Sequence, residues 1–77
     1  MELVQNAEKL HTTELGAVRI KRNLSLVTDD VVGWCRERIL DSNAVIERRG
    51  KNYYVRYDNV EITVNAHSYT IITAHIK

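Results

Sequence analysis

The chain has 77 residues, 44% hydrophobic and 27% charged, with 11 Lys and Arg against 10 Asp and Glu for a formal net charge of +1. That length reads as one small domain spanning residues 1–77, in which folding removes roughly 60 to 65 per cent of the unfolded surface from water, so large cavities are not expected. The composition excludes a disordered chain, and the near-balanced charge excludes attraction to a polyanion by bulk charge alone. The lone Cys35 excludes an internal disulfide and a cysteine-based zinc site. No apolar run approaches the ~20 residues that cross a bilayer, and the opening MELVQNAEKL has no secretory h-region. A cytoplasmic protein is expected.

Leu3, Val4, Ala7 and Leu10 fall on one stripe, the spacing of a short amphipathic helix over residues 2–10. Thr12 or Thr13 then offers an N-cap hydroxyl for a second helix from Glu14 to about Arg22, with Leu15, Val18 and Ile20 apolar. Gly16 weakens that helix by roughly 1 kcal/mol against alanine, and either packing or a close backbone approach accounts for it, packing being preferred. Residues 23–27 read as a connection with Leu24 and Leu26 facing inward. Thr28 is the expected N-cap of a third helix reaching about Leu40, with Asp29 and Asp30 at its positive end and Arg36 and Arg38 near its negative end. Its stripe is Val31, Val32, Cys35 and Ile39. Cys35 therefore reads as a buried small hydrophobe rather than a nucleophile, and Trp34 either packs at the stripe's edge, the default, or presents its ring to a partner.

After the turn cluster Asp41, Ser42 and Asn43 the chain changes to sheet. Strands are predicted over residues 44–49, 52–58 and 60–65, and a last one from Tyr69 to Ile76, joined by turns at Gly50, at Asp58 with Asn59, and at residues 66–68. Helices first and then a four-stranded antiparallel meander give an α+β fold, two or three N-terminal helices covering one face of the sheet.

Period-two alternation sorts the strands into faces. Inward are Ala44 and Ile46, Tyr53, Val55 and Tyr57, Val60, Ile62 and Val64, and Ile72, Ala74 and Ile76. Outward are Val45, Glu47 and Arg49, Tyr54, Arg56 and Asp58, Glu61, Thr63 and Asn65, and Tyr69, Ile71, Thr73 and His75. The outer face gathers hydroxyls, an amide, an imidazole and guanidinium groups. Cleaving RNA without a metal requires a base for the 2′-hydroxyl proton, an acid for the leaving 5′-oxygen and cations for the phosphorane. His75 is the expected acid or base, assisted by Glu47 or Tyr54, with Arg49 or Arg56 gripping the phosphate. Tyr54 has stacking on a base as its alternative role. The three histidines His11, His67 and His75 show no paired ligand spacing, so neither metal nor other cofactor is expected.

The element order, with the last strand TIITAH, Thr70 to His75, resembles the ribonuclease toxin superfamily that contains barnase, the tRNA-cutting colicins and RelE. That resemblance implies catalysis on the sheet face and carries over to Thr73 and His75. The segments LHTTELG, RIKRNL, DVVGWC, RRGKNYYV and ITVNAHSYTIITAH resemble a family of short bacterial proteins of unassigned function. In the first of these segments His11 and Thr13 either border the site or cap a helix. His67 is a second proton-transfer candidate or an exposed turn residue. The full candidate set is His75, Thr73, Arg56, Tyr54 and Glu47 for catalysis, and Arg49, Asn65, His67 and His11 for substrate.

Two functions follow as expectations. One is a metal-independent endoribonuclease of toxin type acting on tRNA or ribosome-associated RNA, with a protein antitoxin as partner. The other is a non-enzymatic, phage-encoded inhibitor of anti-CRISPR kind that uses the sheet face or edge to occupy a target protein. A blander third is a subunit that dimerises through sheet edges, the last strand being the expected open one.

Overall fold

The computed structural model describes residues 2–77. Helix α1 (Glu2–Gln5) continues through a 3-10 turn (Ala7–Lys9) and delivers Leu3, Ala7 and Leu10 to the core, while Val4 stays outside. Helix α2 (Glu14–Leu24) starts at Thr13, whose Oγ1 accepts the backbone N–H of Gly16 at 3.0 Å. Helix α3 (Val31–Ile39) starts at Asp30, whose Oδ1 accepts from the Gly33 N–H at 3.0 Å. The expected cap Thr28 sits two residues earlier and accepts the N–H of Asp30 at 3.1 Å. The carboxylate wins the cap because it satisfies an orphan N–H and also meets the helix dipole with a charge.

Four antiparallel strands follow in the order β1 (Val45–Arg49), β2 (Asn52–Tyr57), β3 (Val60–Asn65) and β4 (Ile71–Ile76). Gly50 and Asp58 take left-handed φ values of 58° and 57° in the two tight turns, a conformation that glycine adopts freely and Asp tolerates. Three helices thus precede a four-stranded antiparallel sheet and cover one of its faces. Ile20, Leu24, Val31, Cys35 and Ile39 pack there on Tyr53, Val55, Ile62, Val64, Ile71 and Ala74.

The last strand departs from the predicted alternation. Val64 pairs with Ile71 but Thr63 pairs with Thr73, so Ile72 is an extra residue in a β-bulge. Ile71 is accordingly 1% exposed and Ile72 41%, the reverse of the expected faces. From Thr73 onward the original phase returns, with Ala74 inward, but Ile76 at the strand's end is exposed rather than in the core. The strand also begins later than predicted, because Tyr69 has a left-handed φ of 59° and lies outside it.

The helical segment closes the outer side of β4. Ile71 donates its N–H to the carbonyl of His11 at 2.7 Å, and its own carbonyl accepts from Thr12 Oγ1 at 2.8 Å. Asn23 Nδ2 donates to the carbonyl of Ala74 at 3.2 Å. The last strand is therefore not the open edge; β1 is the end strand that only β2 pairs. Gly16 belongs to the same arrangement, since a Cβ there would run into the Thr12 hydroxyl that reaches Ile71. Close approach, rather than packing alone, is what that glycine allows.

Candidate functional site

Cross-strand register converts the uncovered face into rows. The first row runs Val45, Arg56, Glu61, His75 across β1 to β4. The second runs Glu47, Tyr54, Thr63, Thr73, and the third Arg49, Asn52, Asn65. Each step across a row is about 4.8 Å, and each step along a strand on one face about 6.6 Å.

The first row holds the densest chemistry. Glu61 Oε1 lies 3.6 Å from His75 Nε2, and its Oε2 lies 3.5 Å from Lys77 Nζ. Arg56 is the partner of Glu61 on the other side. The Glu61 side chain is only 12% exposed although it sits on the uncovered face, whereas that of His75 is 44% exposed. His75 and Lys77 reach this carboxylate, whereas Arg56 faces it by register. Sequence alternation put Glu61 on this face but did not single it out, because its position between Arg56 and His75 depends on register.

The second and third rows form a distinct group. Glu47 Oε1 forms an ion pair with Arg49 Nε at 3.1 Å, and the Arg49 guanidinium lies over the Tyr54 ring, 4.2 Å from its centroid. Asn52 Nδ2 reaches toward the Tyr54 hydroxyl at 3.5 Å. Glu47 therefore holds Arg49 rather than facing His75. Thr73 stands opposite Thr63, one row from the Glu61–His75 pair.

His11 and His67 are not brought to His75. His11 pairs with Thr70 at the start of β4, about 16 Å along the strand from His75. Its Nδ1 is 3.0 Å from the Lys9 carbonyl and its Nε2 3.0 Å from Thr70 Oγ1. A carbonyl only accepts, so Nδ1 carries the proton and, in the neutral ring, Thr70 donates to Nε2. Asn65, the third-row amide, is turned into the β3–β4 loop, where its Oδ1 accepts from the N–H groups of His67 and Ser68 at 2.9 Å each. These polar contacts fasten the loop and the N-terminal segment to the sheet.

Cys35 is fully buried, and desolvation pushes its thiol pKa up to about 11 against the lowering influence of Arg38. Among the described residues no three His, Cys, Asp or Glu side chains converge as metal ligands would, and no helix is long and apolar enough to cross a membrane.

Helices on one side and a polar, cation-bearing surface on the other define a small α+β protein with an open β-face. The profile of a protein family of unknown function, DUF3781, matches residues 4–75, and the chain belongs to that family. No match is found among curated proteins or among solved structures.

Proposed function

We propose that the uncovered sheet face cleaves RNA without a metal ion, as the resemblance to the ribonuclease toxins implies. The observation that carries this reading is the first row, in which Arg56, Glu61 and His75 occupy facing positions on three neighbouring strands. Three side chains spread over about 10 Å span one phosphodiester together with its 2′ and 5′ oxygens. Glu61 takes the proton of the 2′-hydroxyl, whose oxygen then bonds to phosphorus. Arg56 neutralises the phosphorane as it forms. His75, beside Glu61, acts as the acid and gives a proton to the departing 5′-oxygen. The products are a 2′,3′-cyclic phosphate and a 5′-hydroxyl, and Thr73 offers a hydroxyl to a phosphate oxygen from the adjacent row.

The test is incubation of the pure protein with total tRNA in EDTA. Discrete fragments ending in 2′,3′-cyclic phosphate are expected, with Glu61→Gln and His75→Ala each slowing cleavage by roughly 10²- to 10⁴-fold. Absence of cleavage, or cleavage indifferent to both substitutions, overturns the reading. In cells, expression of the wild type should be toxic and that of His75→Ala harmless. Such a toxin would need a protein antitoxin in its host.

The open edge of β1 favours a second reading, a protein inhibitor that adds this strand to the sheet of its target. Harmless expression of the wild type, with target binding lost on Ile46→Pro but retained by His75→Ala, distinguishes it. A dimer formed through the same edge would reveal itself by a doubled mass in solution.

A further inference from the structure

Four Arg or Lys side chains lie over aromatic rings among the described residues, and they differ in what a ligand could reach. Arg48 lies over Tyr53, a ring buried on the helical side of the sheet. Arg38 lies over Trp34 on α3, with its Nη1 also bonded to the Trp34 carbonyl. Lys9 lies 5.8 Å from the centre of Tyr69 beside the β3–β4 loop. Only Arg49 and Tyr54 form such a pair on the uncovered face of the sheet.

That pair also has a carboxylate beside it. Glu47, beside Arg49 on β1 and opposite Tyr54 across the strand pair, places Oε1 3.1 Å from the guanidinium Nε as an ion pair. The Arg49 side chain nevertheless remains 58% exposed. A planar cation over an aromatic ring, still more than half exposed, offers a stacking surface for a nucleobase. Asn52, the cross-strand partner of Arg49, sets a primary amide at the margin of this surface, where it can meet the edge of a stacked base. Lys51 adds positive charge in the adjoining hairpin turn.

We propose that Arg49, Tyr54 and Asn52 form a base-binding subsite next to the Arg56–Glu61–His75 row, so that the substrate class is single-stranded rather than duplex RNA. The proposal rests on the RNA-cleaving reading for the identity of its ligand. Its geometry supplies the reason for strand selectivity. Tyr54 is one row along the uncovered face from Arg56 and Glu61, so a base on Arg49 and a phosphate on Arg56 belong to neighbouring nucleotides. A base paired in a duplex is stacked on its neighbours and unavailable to the platform. Glu47 acts here as a positioning residue through Arg49.

Binding is measured by fluorescence anisotropy with the full chain carrying Glu61→Gln to silence cleavage. The probes are a labelled single-stranded RNA oligonucleotide, the same strand annealed to its complement, and the same strand with abasic sites. The single strand should bind at least roughly 10-fold more tightly than the duplex or the abasic strand. Tyr54→Leu should erase that preference and Tyr54→Trp should keep it, the tryptophan variant guarding against a mere folding defect. Glu47→Gln should weaken single-strand binding without altering binding of the abasic strand. Equal affinity for the three probes, or an intact preference in Tyr54→Leu, overturns the subsite. Selective, Tyr54-dependent binding by a protein that cleaves nothing leaves the subsite standing and removes the nuclease. Cleavage that depends on Glu61 and His75 while Tyr54→Leu keeps wild-type KM does the opposite. No binding to any RNA removes both.

Discussion

Glu61 and Cys35 show how differently two sheltered groups are treated in so small a fold. Glu61 is sheltered on a sheet face with His75 and Lys77 3.6 and 3.5 Å away and Arg56 facing it from β2. Cys35 has no such company, and burial pushes its thiol up to about 11 from the ordinary 9.0. The unfolded thiol therefore loses its proton first as pH rises. Between about pH 9 and 11 the unfolded chain binds fewer protons than the folded one, so stability falls across that window, by on the order of 2 kcal/mol. Below pH 9 this group contributes no pH dependence. Urea unfolding of wild type and Cys35→Ala at pH 8 and pH 10.5 measures the difference, which should be present in the first and missing from the second. A thiol reagent at pH 8 should leave the native protein unlabelled and label it fully in denaturant.

Within the elements, caps and one bulge decide where structure begins and which way side chains turn. Thr13 and Asp30 each satisfy one N–H at the head of a helix. Thr13→Ala and Asp30→Ala should each lower stability by about 1 kcal/mol, read from urea midpoints, while Thr28→Ala costs less because its hydroxyl serves only the turn. The periodic parts of these elements were legible in the chain. Leu3, Ala7, Ile20, Cys35 and Ile39 on the helices, and Val55, Ile62 and Val64 on the sheet, follow the spacing that predicts them. The inversion of Ile71 and Ile72 was not legible, because its cause lies elsewhere in the sequence. His11 and Thr12 bind the backbone of Ile71 from the N-terminal segment, and a contact over 59 residues leaves no mark on local alternation. Leu15 and Val18 mislead in another way: they are apolar but exposed, since Gly16, Ile20 and Leu24 make the buried stripe of α2. For the site, alternation put Arg56, Tyr54, Thr73 and His75 on one face. Register was needed to set Glu61 between Arg56 and His75, and to separate His11 and His67 from them.

At the scale of the whole molecule, a net charge of +1 is compatible with RNA binding only if the cations that touch phosphate are gathered on the binding face. The uncovered face carries Arg49, Arg56 and Lys77 around its two carboxylates, while Arg19 and Arg22 lie on α2 across the sheet. If about three phosphates are neutralised, the slope of log affinity against log salt for a single strand is roughly −0.7 times three, or about −2. A fourfold rise in salt then weakens binding roughly 16-fold. Arg56→Gln and Lys77→Gln should each make the slope shallower by about 0.7, and Arg19→Gln should leave it unchanged. Anisotropy titrations with the Glu61→Gln protein over a series of salt concentrations read the slope directly. A slope steeper than about −4, or one that Arg19→Gln reduces as much as Arg56→Gln does, would mean that RNA is held by the chain's entire surface. The sheet face would then have no privileged claim to the phosphate that Glu61 and His75 must share.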